Sequence, residues 1–157
     1  MPPPPAQFKP PDPDYRARVE ASFARQRVME TLGVALARVA PGAVELRLRY
    51  DEALTQQHGF LHAGVVTAAL DSACGYAAFS LMPADAAVLT VEFKVNLLAP
   101  AKGARFAFTG RVVKPGRTLT VAHGEAHAQD GNGGAPKLIA HMTATLMTIT
   151  ERDGVRG

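Results

Sequence analysis

The chain has 157 residues, 47% hydrophobic and 20% charged, which is enough apolar side chain for one packed domain and too little length for a second. Seventeen basic against fourteen acidic residues leave a net charge of +3. The basic residues are scattered, so wholesale nucleic-acid binding is excluded while a local phosphate site stays open. One cysteine, Cys74, excludes an internal disulfide framework and a Cys-rich zinc site. The longest apolar run, 65–82, carries Asp71 and Ser72 and makes a poor membrane span. Met1 is followed by prolines rather than by a charged and then an apolar segment, so no signal peptide is read and a soluble, cytoplasmic domain is expected. Aromatics are 6% and Trp is absent, which predicts a core of Ala, Val and Leu.

Seven of the first thirteen residues are proline, predicting an extended, flexible arm over 1–13. A helix is predicted from Asp14 to Met29, capped by Asp12 or Asp14, with Tyr15, Val19 and Phe23 on one stripe. From Thr31 the period changes. Val34, Leu36 and Arg38, then Pro41-Gly42, then Val44, Leu46, Leu48 and Tyr50 predict a β-hairpin with one buried face. Residues 51–62 read as irregular and polar. A helix then runs from Gly64 to Leu81 and stops at Pro83. Four strands follow, over 88–98, 105–113, 119–129 and 138–149, separated by turns rich in Pro, Gly, Asn and Asp. The last two strands, joined by Asp130-Gly131-Asn132-Gly133-Gly134, form a hairpin. The organisation read is an arm over 1–13, one domain over 14–150 and a tail over 151–157.

The 64–81 helix is apolar nearly all round, so it should be enclosed by the sheet. Asp71 sits in the middle of it, and a buried carboxylate is costly unless paired, hydrogen-bonded or facing a wet cleft. Its neighbours one and two turns away, Thr67, Ala68, Gly75 and Ala78, are small and leave space for a ligand. Ahead of the helix, His58-Gly59-Phe60-Leu61-His62-Ala63-Gly64 brings imidazoles and glycines to a helix N-terminus, where free N–H groups and the helix dipole stabilise a developing oxyanion. Gln56 and Gln57 add uncharged donors. No nucleophilic Ser or Cys elbow accompanies them, so direct activation of water by Asp71 is the simplest chemistry.

Gln56-Gln57-His58-Gly59-Phe60-Leu61-His62-Ala63-Gly64, followed by Asp71-Ser72-Ala73-Cys74-Gly75-Tyr76, resembles the PaaI-type branch of hotdog-fold acyl-CoA thioesterases. The similarity runs from about Thr31 to Ile149, with Asn96-Leu97-Leu98-Ala99-Pro100 and Lys114-Pro115-Gly116-Arg117-Thr118-Leu119 as further matching segments. It implies an α+β hotdog fold, a curved antiparallel sheet wrapped around one long central helix. It also implies hydrolysis of an acyl-CoA to free acid and coenzyme A, without a cofactor or metal, in a homo-oligomer (dimer or dimer of dimers) whose site lies between subunits. On this likeness Asp71 is the catalytic carboxylate, acting as base or nucleophile. Gln56 stands where an Asn usually helps hold the thioester carbonyl, and His62 is the motif histidine. Ala63 replaces the first Gly of a His-Gly-Gly triplet and keeps its N–H, and Gly64 is the second. Thr90 falls where relatives carry a Ser or Thr that assists water, although plain strand alternation groups it with Glu92 and Lys94. Lys102, Lys114, Gly116 and Arg117 lie where relatives meet the nucleotide of coenzyme A.

Two other readings fit the residues. His62 with Asp71 could serve a hydratase or dehydratase acting on acyl thioesters, and the departures at Gln56 and Ala63 admit a non-catalytic acyl-CoA binding domain. His123 and His127 fall on one strand face roughly 13 Å apart, too far to share a metal. Cys74 reads as a small core residue.

Overall fold

In the computed structural model, which describes residues 8–157, the elements follow the sequence in order. Helices α1 (Tyr15–Ala24) and α2 (Arg27–Leu32) lead into strands β1 (Ala35–Ala40) and β2 (Ala43–Arg49). A 3-10 turn at Glu52–Leu54 precedes helix α3 (Ala63–Phe79). Strands β3 (Ala87–Leu97), β4 (Arg105–Lys114), β5 (Leu119–Gln129) and β6 (Lys137–Ile149) complete the chain. The six strands form one antiparallel sheet in the order β1-β2-β4-β5-β6-β3, and α3 packs against β2 through β6. This is the hotdog arrangement, with the apolar helix inside the curve of the sheet.

The helix lies close to the sheet because glycines meet it there. Gly110 of β4 and Gly124 of β5 are cross-strand partners. A Cβ on Gly110 would stand 2.2 Å from the Ala73 carbonyl oxygen, and one on Gly124 would stand 2.9 Å from the Cys74 Sγ. Alanines at 69, 73, 77, 122, 126, 140 and 144 fill the same layer and are buried. The core is less purely aliphatic than composition predicts. Phe79, Phe106 and Phe108 are among its largest buried side chains, and each contributes up to about 3 kcal/mol by leaving water.

Two predicted features are corrected. The single helix over 14–29 is two helices, since Arg25 and Gln26 close α1 with tight turns onto Ser22 and Phe23. Beyond the break, α2 buries Met29. The 1–13 arm is anchored over its described part, while Pro2 to Pro5 lie outside the described residues. Phe8 packs over Gly42, and the buried Asp12 places Oδ2 3.1 Å from Arg18 Nε. An ionised side chain out of water needs a partner, and Arg18 supplies it.

Arg18 also closes the end of α3. Its guanidinium donates to the carbonyls of Phe79 (3.1 Å), Met82 (2.7 Å) and Pro83, and lies 4.4 Å from the centre of the Phe79 ring. Phe79 is the last residue of α3, whose carbonyl has no intrahelical donor, and Met82 and Pro83 belong to the turn that follows. Ser80, fully buried, donates to Ala77 (2.7 Å) and accepts from the Gly42 N–H (2.8 Å).

Candidate functional site

The opposite end of α3 is open. His62, Ala63 and Gly64 are exposed, Thr67, Ala68 and Asp71 are half-buried, and every residue from Ser72 to Ser80 is buried. His62 caps the helix through its side chain, Nδ1 accepting from the Gly64 N–H at 2.8 Å. Its backbone carbonyl takes the N–H groups of Val65 (2.9 Å) and Val66 (3.3 Å). Of the four donors at this terminus, Ala63 N–H alone has no partner among the described residues. Ala63 is not among the residues with positive φ, so its ordinary backbone presents that donor without strain. Gly64 therefore contributes differently from expectation. Its N–H is taken, and its missing side chain makes room for the imidazole, since a Cβ would lie 3.0 Å from His62 Nδ1.

The 51–62 stretch is more ordered than a polar loop. An isolated bridge joins Thr55 to Leu61, Gln56 N–H donates to Phe60 (2.9 Å), and His62 N–H donates to Leu54 (2.9 Å). These bonds hold Gln56 beside Ala63. Its Oε1 accepts from the His58 N–H at 2.5 Å, and its side-chain NH2 has no partner among the described residues. Gln56, Phe60, Ala63 and Val66 line an apolar cleft of about 490 Å³, closed on the other side by Leu97 to Ala101.

Asp71 lies in a different cleft, of about 360 Å³. Thr90 Oγ1 donates to its Oδ1 at 2.8 Å. Plain alternation would have pointed Thr90 away with Glu92 and Lys94, and that grouping is overturned. The register of β3 against β6 slips at Val91, so Thr90 opposes Leu146 whereas Glu92 opposes Thr145. The β-bulge puts Thr90 on the helix-facing side and sends Glu92 outward to accept from Thr145 (2.5 Å). Burial pushes the Asp71 carboxyl above the usual carboxylate range, and the Thr90 hydrogen bond pulls in the other direction. A carboxylate so placed is a stronger base than one in water. Cys74, on the buried side of the helix, has its thiol pushed up to about 12 by burial and then by the Asp71 charge, so it stays protonated and packs as core.

Ala63 and Asp71 are eight residues apart on one helix, about 12 Å along its axis. Within one chain the oxyanion donor and the carboxylate therefore face separate clefts. The expected nucleotide contacts are also dispersed. Lys102 borders a third cleft of about 740 Å³ together with Arg49 and Arg105, which the sequence did not single out. Lys114, Gly116 and Arg117 lie at the far end of β4, roughly 30 Å away along the strand. Gly116 shapes the turn, its N–H reaching Thr120 Oγ1 at 3.4 Å where a Cβ would strike the Leu119 carbonyl. His123 stacks edge-on to His141, ring centres 5.3 Å apart, rather than meeting His127.

Other polar groups near Asp71 were not legible in advance. Ser72 donates to Gln26 Oε1 (3.1 Å), and Ser22 and Tyr76 share a hydrogen bond (3.2 Å), all four residues lining the Asp71 cleft. The 151–157 tail folds back onto the same place. Arg25 donates to the Gly157 carbonyl (2.7 Å), and residues 154–157 wall the cleft.

A model of the thioesterase superfamily matches residues 58–135. Among solved structures, the chain is 63% identical to a thioesterase family protein from Silicibacter pomeroyi, covering 87% of this chain and 98% of that one with a TM-score of 0.84. It shares its fold with the E. coli PaaI protein of the phenylacetic acid degradation operon (16% identity, 91% and 96% covered, TM-score 0.76). Thioesterase HI1161 of Haemophilus influenzae has the same fold (18% identity, 85% and 90% covered, TM-score 0.75). The chain therefore belongs to the thioesterase superfamily, as a thioester hydrolase with the hotdog fold.

Proposed function

We propose that the chain hydrolyses an acyl-CoA to free acid and coenzyme A at a site assembled from two copies. The observation that carries this reading is the separation of the two half-sites. A thioester carbonyl must meet a base and an oxyanion donor within a few ångströms, and one chain holds Asp71 and Ala63 about 12 Å apart. Strand β3 supplies a means of assembly. It ends the sheet, its outer edge is unpaired among the described residues, and Phe93 and Leu97 on its helix-facing side are 42% and 55% exposed. Two such edges joined antiparallel would extend the sheet and set α3 of one copy against α3 of the other.

In that arrangement Ala63 N–H, at the positive end of the helix dipole, and the Gln56 amide hold the thioester carbonyl. Asp71 of the other copy, oriented by Thr90, takes a proton from water as the water oxygen bonds to the carbonyl carbon. The tetrahedral intermediate collapses with cleavage of the C–S bond, and the proton held by Asp71 passes to the departing sulfur. Lys102, Lys114 and Arg117, with Arg49 and Arg105, are the cations available for the phosphates of coenzyme A. The hydratase reading loses support because the His62 Nδ1 lone pair is spent on the Gly64 N–H. Among the described residues no helix is long and apolar enough to cross a membrane, and the lone buried thiol suits the reducing cytoplasm proposed for the protein.

Mixing two inactive chains tests the proposal. Asp71→Asn alone should lower kcat about 10²–10⁴-fold, and Ala63→Pro alone should act on the other half of the site. After subunit exchange, mixed dimers carry one intact site, and about a quarter of wild-type activity should return. Acyl-CoA turnover followed by thiol release is the readout. Mixtures that stay inactive after exchange is confirmed by mass would place each site within one chain.

A further inference from the structure

The cleft behind Asp71 has an unusual lining for an acyl pocket. Thr90 and Asp71 stand at one end, and the flank of α3 beyond them carries Ser72, Gly75 and Tyr76. Opposite that flank lie Ser22 of α1 and Gln26 at the break between α1 and α2, residues 87–89 of β3 form an apolar wall beside Thr90, and residues 154–157 close the remaining side. The polar groups here are not equally spent. Ser22 and Tyr76 satisfy each other. Gln26 accepts from the Ser72 hydroxyl through Oε1, while its NH2 makes no hydrogen bond among the described residues. With its oxygen engaged by Ser72, the two unpartnered N–H donors are what this half-buried amide turns to the cleft's occupant. An alkyl tail laid against it would leave those donors stranded, which costs more than a hydrogen bond returns.

The helix also measures the space. From Asp71 to Tyr76 is five residues, about 7.5 Å of axis, or about six bonds of extended chain. The packed tail limits the cleft there. Gly157 lies so close to Phe79 that a Cβ on it would stand 2.4 Å from the ring.

We propose that Gln26 is a specificity-determining residue and that the acyl group taken is one of up to about six carbons bearing a hydrogen-bond-accepting oxygen near its far end. This rests on the acyl-CoA thioesterase reading and adds the class of acyl group.

The test compares 5-oxohexanoyl-CoA with 5-methylhexanoyl-CoA, in which a methyl group stands in for the oxygen, and with decanoyl-CoA. Thiol release by the full chain gives kcat/KM, and calorimetry on the Asp71→Asn chain gives affinity without turnover. The keto substrate should exceed its methyl counterpart about tenfold in both measurements, the value of one neutral hydrogen bond, and decanoyl-CoA should be the poorest of the three. Gln26→Met should bring the keto-to-methyl ratio to about one. Gln26→Glu, which replaces the donors by an acceptor, should carry it below one. Equal handling of the pair by the wild type, an unchanged ratio in Gln26→Met, or preference for decanoyl-CoA would overturn the assignment. Thiol release without discrimination sinks the pocket assignment and keeps the thioesterase reading. Discrimination in binding with no release does the reverse, and absence of both binding and release overturns the two together.

Discussion

The two halves of α3 are both mostly apolar and meet opposite fates. From Ser72 to Phe79 every residue is buried, Arg18 donates to the Phe79 carbonyl, and the Ser80 that follows is satisfied as donor and as acceptor. From Ala63 to Asp71 one flank is open, one N–H is unpartnered, and the only acid of the helix is exposed enough to meet a ligand. Burial and capping at one end hold the helix in the sheet. That leaves the other end free to keep unsatisfied groups, which a folded protein retains only where something else secures the structure. Stability and chemistry are thus separable along a single helix, and variants should fall on one side or the other.

The largest expected effect tests the open half. Ala63 is the first helical residue, where proline is well accepted, and His62 at φ −61° and ψ 138° already has the backbone that a following proline demands. Ala63→Pro should therefore remove the free N–H and little else. Thioester turnover should fall about 10²–10³-fold, the usual result of losing one oxyanion donor, with the melting temperature nearly unchanged. A matching loss of stability would show that this end also holds the fold.

The buried half should respond in the opposite sense. Arg18→Met keeps the aliphatic stem but strands Asp12 and the carbonyls of Phe79 and Met82. Removing one member of a buried ion pair costs about 3 kcal/mol, which for a chain of this size lowers the melting temperature by about 10 °C. The kcat measured well below the transition should stay within a few-fold of wild type. A large fall in kcat at full folding would join the two halves.

The smallest effect sharpens the boundary between them. Asp71 must be ionised to act as base, and the Thr90 hydrogen bond favours that form. Thr90→Val should move the acid limb of the kcat profile to higher pH and leave the plateau above it close to wild type. Stability should shift in the linked direction. Because the folded carboxyl already titrates above its unfolded value, the native state holds the extra proton between the two. Stability therefore falls as pH rises through that window, and it should fall further in Thr90→Val. An acid limb that stays in place in the variant would detach Thr90 from the carboxylate.

Local pattern carried the elements a long way. The predicted limits of β5 coincide with its observed ones, and those of α3 and β6 lie within two residues. Asp71 stood out because an acid inside an apolar helix is physically anomalous, whereas Ala63 was marked only by its place in the motif that resembles His-Gly-Gly. Thr90 was harder. Alternation assumes a regular ladder, and the one-residue slip at Val91 that turns Thr90 inward is a property of the β3–β6 pairing. The break at Arg25–Gln26 escaped as well, because the turns that close α1 there, and the contact of Gln26 with Ser72, leave no mark in the 3.6-residue pattern.

What the sequence by itself determined, then, is everything governed by periodicity and by the chemistry of neighbouring residues. That covers the order of elements, the enclosed helix, its lone carboxylate and the donor-rich turn ahead of it. The tertiary structure alone decided which of these groups share a cleft. It separated Ala63 from Asp71 onto different clefts, parted Lys102 from Lys114 and Arg117 by the length of β4, and brought Gln26 to Ser72 across 46 residues of chain. The physical reason is that such juxtapositions are fixed by sheet order, strand register and the close seat of α3 on Gly110 and Gly124, all of them long-range packing that no local window of sequence contains.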